Sequence, residues 1–192
     1  MPVAKVLYNC HVTAICSSRN AEFVTSLGAD EVIDYTSEFV PQALLEKRPA
    51  TSISDSQKKY DLICDCVGGT ELIAHMHELL HPKAAYITIV GDKTDRNYMG
   101  GPMTYFIDGW RSVQQITRHI KGMIFGPRYA NVYLFEKADL LQKTAGLAER
   151  GDVKVFVQEV IEGALEDEEK WKEVFKHMQE GRVRGKIVVK IS

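Results

Sequence analysis

Residues 11–38, HVTAICSSRNAEFVTSLGADEVIDYTSE, decide the fold. His11 to Cys16 is a short apolar run that predicts a strand. Ala21 to Leu27 reads as a helix and stops at Gly28, the residue type that most readily turns left-handed after a helix. Glu31 to Tyr35 is a second strand-like run. Two strands joined by a helix run parallel, because a crossover returns the chain to the same end of the sheet.

The alternation continues downstream. Phe39 to Lys47 has helical spacing, and Arg48 to Lys59 is a polar, serine-rich loop. Tyr60 to Val67 (YDLICDCV) is a strand ended by Gly68-Gly69, followed by a helix at Glu71 to Leu80. Ala84 to Val90 is a strand ended by Gly91, and a long loop covers 92–107. Trp110 to Lys121 is helical, Asn131 to Phe135 a fifth strand and Lys137 to Arg150 a helix. Val153 to Ile161 is extended, Asp167 to Glu180 is an amphipathic helix and Lys186 to Ile191 is a last strand. The strands are continuous apolar runs, which suits a sheet covered on both faces. The expected fold is α/β: an incomplete doubly wound, Rossmann-like parallel sheet with helices on both faces. The expected organisation is one nucleotide-binding domain over 1–192, with 152–192 a C-terminal extension.

Composition excludes several classes. The 192 residues are 45% hydrophobic and 26% charged, ordinary for a globular chain able to bury a core. A net charge of −2 gives no reason to expect nucleic acid or an anionic membrane as partner. No run approaches the roughly 18 apolar residues of a membrane span. The N-terminus lacks the pattern of a signal peptide, and Cys10, Cys16, Cys64 and Cys66 lie in or beside strands. Reduced thiols and a cytoplasmic location are expected.

Residues 11–38 closely resemble the quinone-oxidoreductase-like branch of the medium-chain dehydrogenase/reductase family, above all in Leu27-Gly28-Ala29-Asp30 followed by Val32-Ile33-Asp34-Tyr35. Three further blocks are similar in order: YDLICDCVGG at 60–69, ITIVGD at 87–92 and EGRVRGKIVVKI at 180–191. The loop GDKTDRNYMGGPMTY is similar to fungal relatives within the branch. The resemblance implies oxidoreductase ancestry of the NADPH-dependent quinone or enoyl reductase type. It also implies that His11–Cys16 is the second Rossmann strand. Before it stands only MPVAKVLYNC, which reads as the tail of a helix, and no G-x-G-x-x-G occurs upstream. The GroES-like substrate domain, which carries the family's catalytic zinc ligands, is not among these residues. Three functional readings follow: a reductase needing a partner chain to supply that domain, a repurposed cofactor-independent cyclase or isomerase, and a non-catalytic binding remnant.

Ser17-Ser18-Arg19 follows the strand that meets the adenosine ribose in this fold. Hydroxyls and an arginine suit a 2′-phosphate, whereas an acid would suit the 2′-hydroxyl of NAD. The cofactor expected, if any, is NADP(H). Ser18 or Asn20 equally suits an N-cap. The resemblance places Tyr35 near the adenosine phosphate. Val67-Gly68 and Val90-Gly91 stand at strand ends, where ligands bind in open α/β sheets, although plain turns would read the same. In the long loop, Asp92, Lys93 and Tyr105 are candidate catalytic groups, with Tyr98 and Asp108 nearby. His77 and His81 have metal-ligand spacing near His75, Cys64 and Cys66, but no tetrahedral set is evident and no zinc is expected.

Two expectations concern assembly. A small-molecule ligand and a homodimer are expected, the latter through the edge strand Asn131–Phe135. In the order 3-2-1-4-5-6, the central strand would be missing between 11–16 and 60–67. Direct closure of those two strands is expected, in preference to insertion of Lys186–Ile191 between them.

Overall fold

The computed structural model describes residues 1–47, 59–90, 109–132, 137–163, 167–180 and 183–190. The chain divides into two compact units, one of His11–Glu136 and the other of Met1–Cys10 with Lys137–Ser192. The second unit begins with α1 (Pro2–Tyr8), closed by Asn9 in the left-handed conformation at φ 47°. It continues with α7 (Ala138–Glu149), β6 (Val157–Glu162), α8 (Glu168–Glu180) and β7 (Lys186–Lys190). β6 and β7 pair in parallel around α8, as a crossover unit must.

The unit His11–Glu136 holds two parallel sheets. β1 (Thr13–Cys16) and β2 (Glu31–Asp34) pair from Thr13↔Glu31 to Cys16↔Asp34, joined by α2 (Ala21–Ser26). The other sheet has the order β3-β4-β5: β3 (Tyr60–Asp65), β4 (Leu80–Thr88) and β5 (Arg128–Asn131). α3 (Val40–Glu46) lies between the two sheets in sequence, α4 (Glu71–Ala74) and α5 (Met76–Leu79) lie between β3 and β4, and α6 (Gly109–Phe125) precedes β5. Ile33 of β2, Ala43 and Leu44 of α3 and Leu79 of α5 form one buried cluster, with Tyr60 and Ile63 of β3 packed against it. A second cluster joins Ile73, Met76, Leu80, Ala84, Tyr86 and Tyr129, with the rings of Tyr86 and Tyr129 stacked at 5.8 Å.

Neither expected repair of the missing strand occurs. Among the described residues β1 pairs with β2 and β3 with β4, with no ladder between β1 and β3, and β7 pairs with β6. The reason lies in exposure. An unpaired edge is costly only when buried, and these strands are open to solvent on one face: Ile15 of β1 and Leu62 and Cys64 of β3 are exposed. The α3–α5 core holds the two sheets together instead.

The fifth strand lies earlier than its apolar residues suggest, at Arg128–Asn131 rather than 131–135; residues 133–136 lie outside the described ones. α6 runs to Phe125 and stops at Gly126-Pro127, since proline cannot continue a helix. Tyr129 then enters the core and fixes the strand. The helix foreseen at 71–80 is broken at His75, and β4 begins at Leu80, because Leu79 and Leu80 are both buried on different packing surfaces.

α6 meets β5 at Gly122. A Cβ there would lie 2.6 Å from the Pro127 carbonyl oxygen and 2.9 Å from the Tyr129 nitrogen, both backbone atoms. Gly122→Ala is therefore expected to lower stability by about 1–3 kcal/mol in urea unfolding. Gly146→Ala, in α7, is the contrast: its Cβ would meet only a flexible Arg150 guanidinium nitrogen at 3.4 Å. Helix propensity should make that change neutral or stabilising, by up to about 1 kcal/mol. Equal effects at the two sites would contradict this packing.

Candidate functional site

The carboxyl ends of β1 and β2 form one half of the site. After Cys16 the chain stays extended at Ser17 and turns tightly through Ser18–Asn20, closed by the Asn20 N–H on the Ser17 carbonyl at 2.8 Å. Asp34 ends β2 in register with Cys16. Its carboxylate accepts the Thr36 hydroxyl at 2.6 Å and the Thr36 N–H at 2.9 Å. Ser18 lies close enough to favour the charged carboxylate as well. These contacts, the Thr36 hydroxyl foremost, hold the Asp34 carboxyl below its ordinary range. Partial burial and the Asp34 charge push the Cys16 thiol up, which keeps it protonated near neutral pH. Arg19 and Tyr35 are exposed beside this turn, and the Tyr35 N–H donates to the Cys16 carbonyl at 3.3 Å.

The N-cap reading of Ser18 and Asn20 does not hold. α2 has no side-chain cap, and Ser18 lies within the tight turn that precedes it. An acid thus stands beside Ser18 after all, supplied by the neighbouring strand rather than by the residues that follow β1. Sequence proximity could not place it there; the parallel register does.

The other half lies at the ends of β3 and β4. Asp65 is buried and accepts three hydrogen bonds: the Tyr86 hydroxyl at 2.8 Å and the N–H groups of Val67 and Gly68 at 2.9 Å each. The side chain thereby shapes the turn that follows its own strand. Gly68 and Gly69 adopt φ of 88° and 102°, which side chains rarely tolerate. Val67 is left protruding into solvent. Thr88, fully buried, accepts the Val90 N–H on its hydroxyl at 3.2 Å and the Val132 N–H on its carbonyl at 2.8 Å. Asp65, Tyr86 and Thr88 are absent from the sequence-derived candidates. An acid inside the apolar run YDLICDCV, two residues before a Gly-Gly pair, was the available signal for Asp65.

Gly91, Asp92, Lys93, Tyr98, Tyr105 and Asp108 lie outside the described residues, so the candidate catalytic groups are not placed. Among the described residues no three His, Cys, Asp or Glu side chains gather as a metal site would require. His81 is engaged at both ring nitrogens, by Asp61 at 2.8 Å and by the Lys83 N–H at 3.1 Å. His75 contacts Glu78 at 3.3 Å. All four cysteines are free thiols.

Parallel α/β sheets with glycine and hydroxyl turns at their carboxyl ends define a Rossmann-like domain. The sequence profile described as zinc-binding dehydrogenase matches residues 27–189, and the chain belongs to that family. Within it the chain is a medium-chain dehydrogenase/reductase of the quinone-oxidoreductase-like branch. It is 31% identical over 183 residues to the chloroplast envelope quinone oxidoreductase homolog of Arabidopsis thaliana, covering 95% of this chain and 46% of that protein. It is 28% identical over 189 residues to the mitochondrial NAD(P)H oxidoreductase RTN4IP1 of Danio rerio, covering 96% and 43%. The quinone oxidoreductase structure from Coxiella burnetii superposes with a TM-score of 0.59 at 19% identity, over 95% of this chain and 45% of that one. The chain thus spans under half the length of these relatives.

Two tests follow from the turn acids. By NMR titration, Asp34 should have a midpoint below an ordinary aspartate, and Thr36→Val should raise it; an unmoved midpoint would contradict the assignment. Since the folded value is the lower one, the link to Thr36 is intact above the ordinary carboxylate range and is lost as pH falls through the lowered midpoint. At β3, Tyr86→Phe should cost about 1 kcal/mol. Asp65→Ala should cost more, since it orphans the Tyr86 hydroxyl and two N–H groups at about 1–3 kcal/mol for each that stays dry. Equal costs in urea unfolding would show that Asp65 does not organise the turn.

Proposed function

We propose that this chain supplies the adenosine-side half of an NADPH site in a quinone- or enoyl-reductase type of oxidoreductase. The observation that carries the reading is the turn at Ser17-Ser18-Arg19, where two hydroxyls and a guanidinium follow β1 beside the Asp34 carboxylate of β2. The names of the relatives support a nicotinamide cofactor. Ser17 and Arg19 would hold the 2′-phosphate, Tyr35 would flank the adenosine end, and the Gly68 and Val90 turns would allow the remainder of the dinucleotide to approach backbone. When bound, NADPH supplies a hydride. The negative charge of Asp34 opposes a phosphate, so the preference rests on Arg19.

Hydride transfer itself needs an acceptor held against the nicotinamide and a turn that binds the pyrophosphate. These 192 residues contain no G-x-G-x-x-G motif, and the acceptor site is assigned to a substrate domain contributed by further protein. The acceptor is a small activated alkene or quinone.

Fluorescence titration of the purified chain with NADPH and NADH tests the reading. NADPH should bind more tightly, by on the order of tenfold, equivalent to about 1.4 kcal/mol. Arg19→Ala should abolish the difference, and Asp34→Asn should widen it by removing the opposing charge. Equal affinities in the wild-type chain, or no binding of either nucleotide, would refute the proposal.

A further inference from the structure

β3 ends in two thiols on one face. Along Leu62–Cys66 the exposure alternates. Leu62, Cys64 and Cys66 are exposed, whereas Ile63 packs against both buried clusters and Asp65 is itself buried. The Asp65 carboxylate reaches inward to the Tyr86 hydroxyl, so the residues on either side of it point the other way. Both thiols are free and open to solvent. They also feel each other: partial burial and the neighbouring Cys66 charge push the Cys64 thiol up. Neither Cys10 nor Cys16 shares a strand with a second thiol.

Backbone geometry suits a bond between the two. A parallel strand rises about 3.3 Å per residue, which sets the Cα atoms of Cys64 and Cys66 about 6.6 Å apart. Disulfides usually join Cα atoms about 4.4–6.8 Å apart, so the pair stands at the wide end of that range. Cys66 has room to close in. The ladder to β4 ends at Asp65, in register with Thr88, and Cys66 lies in the bend just beyond it. Closure at the wide end strains the ring, and a strained, exposed disulfide is readily reduced again. Cys66 is followed at once by Val67, whose N–H, with that of Gly68, is held by Asp65 at 2.9 Å. Drawing Cys66 towards Cys64 therefore turns the peptide units on both sides of Asp65 and pulls at that turn.

We propose that Cys64 and Cys66 are a site of thiol–disulfide exchange with a small disulfide, which closes a reversible Cys64–Cys66 bond and loosens the Val67-Gly68 turn. The Cys66 thiol loses its proton, and the thiolate attacks one sulfur of the small disulfide. That S–S bond breaks, and the first small thiolate leaves and takes up a proton. Cys64, the thiol that is pushed up, then loses its proton and attacks the Cys66 sulfur of the mixed disulfide. The second small thiolate leaves and takes up the other proton. Two protein thiols are oxidised, and one small disulfide is reduced to two thiols.

The test is incubation of the whole chain with oxidised glutathione, followed by blocking of free thiols, tryptic digestion and mass spectrometry. The peptide from Tyr60 to Lys83 holds both thiols. It should be lighter by two hydrogen atoms and unblocked, with Cys10 and Cys16 still blocked as thiols, and dithiothreitol should restore it. Cys64→Ser should stop the reaction at a glutathione adduct on Cys66. Amide exchange at residues 66–69 should be faster in the oxidised wild-type chain than in the reduced one. Stable glutathione adducts on both cysteines, a bond to Cys16 or between chains, or no reaction would overturn the proposal. So would an oxidised chain whose exchange at residues 66–69 is unchanged.

Discussion

Two fully buried side chains share one cluster: Ile33 of β2, in one sheet, and Leu79 of α5, the helix that leads into β4 of the other. Everything else in the unit His11–Glu136 depends on that packing. The two sheets share no ladder among the described residues, so backbone hydrogen bonds cannot register one against the other. The connection is hydrophobic and runs through α3, α4 and α5. The Tyr60 hydroxyl on the Leu44 carbonyl at 3.1 Å adds one polar tie between β3 and α3. Side-chain packing thus does the work that a central strand does in an unbroken doubly wound sheet.

The same constraint organises the site. Each sheet ends in a turn built by its own aspartate. Asp34 holds the turn at Thr36 and stands beside Ser18, and Asp65 holds the Val67-Gly68 turn, braced by Tyr86. In both cases a carboxylate saturates with local N–H and O–H donors, which fixes loop backbone at the place where a dinucleotide would approach. The chemistry of the two acids is therefore positional. Ser17, Arg19 and the glycine turns are what a ligand would meet.

Much of this was legible in the sequence. Alternating strands and helices gave the fold class, and the Gly28 and Gly68-Gly69 stops fell where the structure has them, at φ 98°, 88° and 102°. The site turns were legible as positions but not as networks. Asp34 and Ser18 are sixteen positions apart in the chain, and only the parallel register brings them together. The fifth strand was misplaced because Arg128 and Asn131 are polar, while a single tyrosine stacked on Tyr86 carries its burial. Direct closure of β1 on β3 was expected from the cost of buried unpaired edges. It fails in strands that are open to solvent on one face, and burial is a tertiary property that local pattern does not encode. The thiols of β3 are the clearest case: YDLICDCV reads as a run covered on both faces, but only coordinates show that Cys64 and Cys66 are exposed.

The central claim is that the two turns, one on each sheet, are halves of a single nucleotide cleft. Amide hydrogen exchange with and without NADPH, read peptide by peptide, tests it most directly. The account predicts slower exchange with NADPH both at residues 16–20 and at residues 66–69, with β6 and β7 unchanged. Protection confined to one of the two turns, or to neither, would contradict it.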